Sequence, residues 1–130
     1  MPNQISIQMN IPTEIRENIL VVLPEGNLSK LAARDLGELL KTESSEGFHH
    51  IVIDCRELVN ISSDGLRVIL HSFKQMKAAG GNLVVSSLRN QVASALEVTG
   101  MLKIIESFSD IDTAVFFLKS NIDSLEKEKE

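Results

Sequence analysis

The chain has 130 residues, of which 43% are hydrophobic and 24% charged, so it suits one domain with one core and is too apolar for disorder throughout. Its formal net charge is −5 and no run of Lys or Arg forms a basic stripe, which argues against a nucleic-acid or anionic-membrane partner. The lone Cys55 suits a reducing compartment. Without a signal peptide or a membrane-length apolar run in the sequence, we expect a cytoplasmic protein with no membrane insertion.

The N-terminal part of the chain predicts a β-hairpin. Apolar residues alternate with polar ones over 5–11, the pattern of a half-buried strand, and Ile19–Leu23 is a short run typical of a second strand. The segment Pro-Glu-Gly-Asn at 24–27 is a turn signal that ends this strand.

After Ser29, helical periodicity alternates with short apolar strands. Leucines at helical spacing predict a first helix from Ser29 to near Gly47, and apolar residues over 66–76 predict a second, which Gly80 and Gly81 end. A short third helix is predicted over 92–99, and Asp110 can cap a fourth. The strands predicted between these helices are 51–53, 83–85 and 103–106.

The order β-β-α-β-α-β-α-β-α is typical of an α/β domain, because strand–helix–strand units form right-handed parallel crossovers. We expect a single domain over 1–125, with a mixed, mostly parallel sheet, an N-terminal β-hairpin and about four helices packed against the sheet. The charged segment 126–130 is predicted to be a frayed tail. Functional residues gather beyond the carboxyl ends of such strands, which directs attention to the loop predicted over 54–65.

Polar residues are concentrated where this loop enters the second helix. Asn60, Ser62 and Ser63 can each cap the helix, and Asp64 falls in its first turn, where a carboxylate complements the helix dipole. Gly65 leaves room for a close neighbour. On local composition alone, the two serines are interpreted as helix caps.

Three segments resemble the anti-sigma factor antagonists of the STAS domain family, named after sulphate transporters and anti-sigma antagonists. They are the strand 51–54 with Ile-Ser-Ser-Asp-Gly-Leu at 61–66, the Gly-Gly turn into the strand at 79–85, and Leu-Glu-Val-Thr-Gly-Met at 96–101. All three occur in the family's order and spacing. The resemblance implies a STAS-like fold and a regulator that is not an enzyme and needs no cofactor.

In this family a partner kinase phosphorylates the serine at the position of Ser63. The resemblance implies that the unphosphorylated protein binds an anti-sigma factor that is also a serine kinase of the histidine-kinase-like ATPase type, which frees a sigma factor. Phosphorylation at Ser63 ends that binding, and a phosphoserine phosphatase is a second implied partner. The family's acidic residue before the serine is Ser62 here and Asp64 follows the serine, so Ser62 is a rival phosphoacceptor.

A partner-binding surface is expected around this serine. It combines the loop after the second strand, the loop before the second helix and the outward face of that helix. Its predicted residues are Asn27, Ser29, Asn60, Ser62, Ser63, Asp64, Gly65, Arg67 and Lys74.

Two alternatives stay open at this level. A STAS adaptor in a stress-signalling or lipid-transport assembly shares the fold, and a response-regulator receiver domain would use Asp54 as its phosphoacceptor. A receiver needs acidic residues after its first strand and a lysine after its last, whereas the chain offers Glu14 alone and has Lys103 at the start of the last predicted strand and not after it. The sequence has no phosphate-binding glycine loop and no nucleophile elbow, so no catalytic residue, cofactor or metal is predicted.

Overall fold

The apolar runs of the sequence form the centre of a five-stranded sheet in a computed structural model, which describes the backbone of residues 11–129 and the side chains of residues 11–124. Along the chain the strands are β1 (Thr13–Arg16), β2 (Ile19–Val22), β3 (Gly26–Leu28), β4 (His50–Asp54), β5 (Leu58–Ile61), β6 (Asn82–Ser86) and β7 (Ser107–Phe108). The helices are α1 (Lys30–Ser45), α2 (Ser63–Ala78), α3 (Asn90–Val98) and α4 (Ile111–Lys129).

The main sheet has the strand order β1-β2-β4-β6-β7, in which β1 is antiparallel to β2 and the other pairs are parallel. Successive side chains of a strand point to opposite faces, so each central strand contributes to two cores. Leu20, Ile51 and Leu83 pack with residues of α1, α2 and α3 on one face, whereas Val52 and Val84 pack against α4 on the other. The predicted α/β fold with a mixed sheet, an N-terminal hairpin and four helices is confirmed.

The N-terminal hairpin is formed by residues further along the chain than predicted. β1 spans Thr13–Arg16, Ile11 lies before it, and residues 5–10 of the predicted strand lie outside the described residues. Glu17 and Asn18 make the two-residue turn with φ of 55° and 83°, the positive values that suit a tight hairpin. β1 has little hydrophobic pattern because it is an edge strand with mostly exposed residues.

A second, two-stranded sheet replaces the turn predicted at 24–27 and part of the loop predicted over 54–65. β3 and β5 pair in parallel, with Leu28 opposite Ile61. Strands of three and four residues are too short to show periodicity, and Pro24 and Gly26 before Asn27 resemble a turn. The consequence is that the end of β3 reaches the start of α2.

The predicted strand over 103–106 is wrong. Gly100, with φ of 80°, ends α3, and a 3-10 turn follows over Met101–Lys103. The adjacent Ile104 and Ile105 gave the strand-like pattern, but Ile104 is exposed and only Ile105 is buried in the core. The strand that pairs with β6 begins later, at Ser107.

The last helix begins after Asp110, as predicted. The Asp110 carboxylate accepts a hydrogen bond from the backbone N–H of Thr113 at 2.7 Å, which lowers the pKa of that carboxyl. The helix continues to Lys129, so segment 126–129 extends α4. Each helix within residues 11–129 is too short or too polar to span a bilayer.

Candidate functional site

Ser62 closes the N-terminal end of α2. Its Oγ accepts a hydrogen bond from the backbone N–H of Gly65 at 3.0 Å and donates one to the carbonyl of Leu28 at 2.7 Å. The backbone N–H of Ser62 donates to the same carbonyl at 2.9 Å. The Ser62 hydroxyl therefore serves as both donor and acceptor, and it joins the end of β3 to the start of α2.

Ser63 is the first residue of α2, and its side chain is exposed. Its hydroxyl forms no hydrogen bond with any other residue that the structure describes. Asn60 is no cap either, because its Oδ1 accepts from the backbone N–H of Ile61 at 3.0 Å. Of the three cap candidates, the structure selects Ser62 and leaves the Ser63 hydroxyl available.

Asp64 lies in the first turn of α2, as predicted, and pairs with Arg67. The Arg67 Nη1 donates to the Asp64 Oδ1 at 3.0 Å, and the two side chains are 72% and 37% exposed. An ion pair this open to solvent contributes about 0–1 kcal/mol to stability. The pair matters here for the local charge, because the Arg67 guanidinium compensates the negative charge of the Asp64 carboxylate next to Ser63.

Gly65 is buried where α2 meets both short strands. A Cβ at this position would lie 2.8 Å from the Ile61 Cγ1 and 3.0 Å from the Leu28 Cδ2. The missing side chain lets β3, β5 and α2 approach one another. Gly65 therefore acts on the surface by positioning the loop and not as an exposed contact.

The remaining predicted residues lie on either side of Ser63. Asn27, Ser29 and Asn60 line a shallow cavity of about 210 Å³ together with Leu28, Ile61 and Ser62. Ser29 also caps α1, since its Oγ accepts from the backbone N–H of Ala32 at 3.3 Å.

Arg67 and Lys74 are exposed on α2. Helical geometry places them on the same side of the helix as Ser63, with Lys74 about 16 Å further along the axis. The structure thus gathers the predicted residues other than the buried Gly65 on one surface, with Lys74 at its far end.

Asp54 and Cys55 are buried at the end of β4. The Asp54 Oδ2 lies 3.2 Å from the Arg56 Nε, and its Oδ1 accepts from the backbone N–H of Arg56 at 3.1 Å. Burial, aided by the negative charge of Asp54, raises the pKa of the Cys55 thiol to about 12. Within the described part of the chain, no cluster of three or more His, Cys, Asp or Glu side chains could hold a metal ion.

Sequence reasoning missed the part played by Leu28. An apolar residue just before the N-cap Ser29 is a recognisable packing signal. Nothing local, however, shows that its carbonyl accepts hydrogen bonds from Ser62, which lies 34 residues further along the chain. That contact depends on the parallel pairing of β3 with β5.

Comparisons with known proteins cover most of the chain, including the residues around Ser63. The STAS domain family model matches residues 10–114. BtrV of Bordetella bronchiseptica, to which an anti-sigma factor antagonist role is assigned, is 28% identical over 112 residues, covering 86% of this chain and 97% of BtrV. The anti-sigma F factor antagonist of Paenibacillus polymyxa is 26% identical over 108 residues, covering 80% of this chain and 90% of that protein.

The solved structures agree on the fold. A Thermotoga maritima protein with the same assigned role superposes with a TM-score of 0.77 at 20% identity, covering 84% of this chain and 94% of that protein. The match to the STAS domain family spans most of the chain and argues against a response-regulator receiver domain. Asp54, the phosphoacceptor that a receiver would use, is buried. The chain belongs to the STAS domain family.

Proposed function

We propose that this chain is an anti-sigma factor antagonist, which binds an anti-sigma factor when unphosphorylated and is switched off by phosphorylation at Ser63. Its family and the names of two relatives that it matches over most of their length support this proposal. The observation that carries it is the contrast between two adjacent serines, the engaged Ser62 and the exposed, unengaged Ser63. Because sigma factors bind RNA polymerase in the cytoplasm, a protein with this function belongs to the same compartment.

The hydrogen bonds favour Ser63 over Ser62 as the phosphoacceptor. Phosphorylation of Ser62 removes the proton that its hydroxyl donates to the Leu28 carbonyl, and it places a phosphate within the cap of α2, which is worth about 1 kcal/mol. Ser63 can be phosphorylated without loss of any bond within the described chain. A phosphate at this end of the helix also gains about 0.3–2 kcal/mol from the helix dipole.

Electrostatics at a binding interface explains the switch. A phosphoserine adds about −1.5 to −2 charges beside Asp64, whose carboxylate already occupies Arg67. On the exposed surface of the free protein, solvent screens this charge and the fold is little affected. Burial of an unpaired dianion against a partner costs several kcal/mol, and about 2.8 kcal/mol is enough for a hundredfold loss of affinity.

The proposed contact surface extends to both sides of Ser63. Asn27, Ser29 and Asn60 border the shallow cavity at the end of the two short strands, and Arg67 and Lys74 continue along α2. The partner is an anti-sigma factor that is also a serine kinase of the histidine-kinase-like ATPase type. A phosphoserine phosphatase reverses the modification.

Phosphorylation by candidate kinases from the cell of origin, with ATP and mass spectrometry of the product, tests the site. We expect phosphate on Ser63 in the native chain and in Ser62→Ala, and none in Ser63→Ala. The assignment is contradicted if Ser62 carries the phosphate. It is also contradicted if every kinase that binds the chain leaves it unmodified. A pulldown that yields membrane-transport or stress-assembly subunits in place of a kinase favours the adaptor alternative.

Calorimetric titration of the kinase with two variants tests the switch. Ser63→Ala should bind as tightly as the native chain, and Ser63→Asp about a hundredfold more weakly. Equal affinities for the two variants contradict the electrostatic mechanism.

A further inference from the structure

A groove with basic walls runs between α1 and α2. Two adjoining cavities of about 330 and 300 Å³ form it, and they share Arg67 and Val68 as lining residues. The groove extends from Lys30, at the start of α1, to Lys41, which corresponds to about 16 Å along the helix axis. It is therefore a continuous feature of one surface.

The charges along this groove are opposite to those of the whole chain. α1 contributes Lys30, Arg34 and Lys41, which form no ion pair with any residue that the structure describes. Asp64 is the one carboxylate among the described lining residues, and Arg67 pairs with it. In a chain of net charge −5, this groove is a local concentration of unpaired cations.

Apolar groups lie between these cations. A Cβ at Gly37 would lie 3.6 Å from the Val68 Cγ1, so the absence of a side chain there keeps the floor of the groove low. Leu31 lines the end near Lys30 and is 57% exposed, although its spacing matches the apolar face of α1. The groove thus offers an exposed aliphatic side chain flanked by positive charge.

We propose that this groove binds an acidic segment of a partner protein that carries an apolar side chain for Leu31 and Val68. The helical rise separates Lys30 from Arg34 by about 6 Å and Arg34 from Lys41 by about 10 Å. A partner helix with carboxylates four and seven residues apart matches this spacing, in the manner of other helix-in-groove complexes. The groove adjoins the surface around Ser63, since Asp64 and Arg67 belong to both. The proposal goes beyond the Ser63 switch, because binding in the groove depends on the cations of α1 and needs no phosphorylation.

The acidic remainder of the chain favours a short protein segment over a nucleic acid. A polynucleotide carries phosphates well beyond the length of the groove, so it would also face the negative charge that gives the chain its net −5. An acidic protein segment can confine its charge to the groove.

Titration of the unphosphorylated full chain, labelled with ¹⁵N and followed by NMR, tests the proposal. The probe is a synthetic peptide of about 12 residues, with glutamates four and then seven residues apart and leucines between them on the same helix face. We expect shifts at Leu31, Arg34, Lys41 and Val68, which weaken as the salt concentration rises. The double variant Arg34→Glu with Lys41→Glu should bind about tenfold more weakly, and because both side chains are exposed the fold should be kept.

The control variant is Lys103→Glu, which reverses one positive charge on the exposed 3-10 turn, outside the groove, and is compared with each single groove variant, Arg34→Glu and Lys41→Glu. It should bind the peptide like the native chain. The proposal is overturned by shifts elsewhere, by no shifts, by an equal response to the peptide with lysine in place of glutamate, or by preferential binding of a single-stranded oligonucleotide or anionic vesicle. The titration contains no kinase, so its failure leaves the phosphorylation of Ser63 to its own test.

Discussion

The five-stranded and two-stranded sheets of this domain differ in burial and in what they position. Every residue of β2 and β6 is buried, and both faces of these strands are covered by helices. In β3 and β5, by contrast, Asn27, Val59 and Asn60 are exposed. The large sheet therefore supplies most of the core, and the small sheet holds the start of α2 at the surface.

This difference separates stability from the proposed function. Changes in the large sheet should lower the free energy of unfolding strongly, whereas changes at the small sheet should alter the loop that carries Ser63 at modest cost. Four predictions test this division.

The largest expected effect is at Gly81, which precedes β6. A Cβ there would lie 1.8 Å from the backbone carbonyl oxygen of His49, so the backbone itself must move. We expect Gly81→Ala to lower the free energy of unfolding by about 3–4 kcal/mol, measured by urea denaturation. Gly37→Ala is the control, because its new Cβ makes ordinary contacts and gains up to about 1 kcal/mol of helix propensity. Equal stabilities of the two variants would contradict this account.

A smaller effect is expected at Gly65, beside the small sheet. The atoms that a new Cβ meets belong to the side chains of Ile61 and Leu28, which can shift, and alanine is the better helix former. We expect Gly65→Ala to cost about 1–2 kcal/mol in the same assay. A loss as large as that of Gly81→Ala would show that the small sheet is as rigid as the large one.

The two serines should differ in stability as they do in hydrogen bonding. Ser62→Ala removes the cap of α2 and should lower the free energy of unfolding by about 1 kcal/mol. Ser63→Ala should stay within about 0.5 kcal/mol of the native chain, as for other exposed positions. Thermal denaturation of both variants checks this, and the reverse order would mean that Ser63 is the cap.

The smallest effect concerns His50, at the start of β4. Burial, then the charges of His49 and Lys77, lower the pKa of His50 from its ordinary value. The unfolded chain therefore takes up the proton first as the pH falls, so stability should decline below about pH 6.5 and level off below the folded pKa. His50→Gln should reduce this decline, measured as the urea midpoint between about pH 7.5 and pH 5. If the decline in stability is unchanged in His50→Gln, other titrating groups cause it. The control is His71→Gln, because His71 is exposed.

The sequence predicted most of the large sheet and its helices, because buried strands such as 51–53 and amphipathic helices such as α2 carry periodic patterns. It failed where the elements are short or exposed. β1 is an exposed edge, β3 and β5 have too few residues for a pattern, and Ile104 and Ile105 mimic a strand although a 3-10 turn precedes them.

For the candidate site, the residue types were predictable but their division of roles was not. Residue type alone does not rank Asn60, Ser62 and Ser63 as caps, since asparagine and serine are both suitable. The choice depends on the carbonyl of Leu28, which only tertiary structure brings to Ser62.

The cap at Ser62 also determines how α2 is rotated about its own axis. Each residue of a helix turns the next side chain by about 100°, so the residue chosen as cap decides which side chains point outward. If a one-residue insertion between Ile61 and Ser62 made another residue the cap, the helix would begin at a different residue. Ser63 and Arg67 would then both point in new directions relative to the sheet. The direction in which the proposed phosphoacceptor faces is therefore set by hydrogen bonds that its neighbour makes.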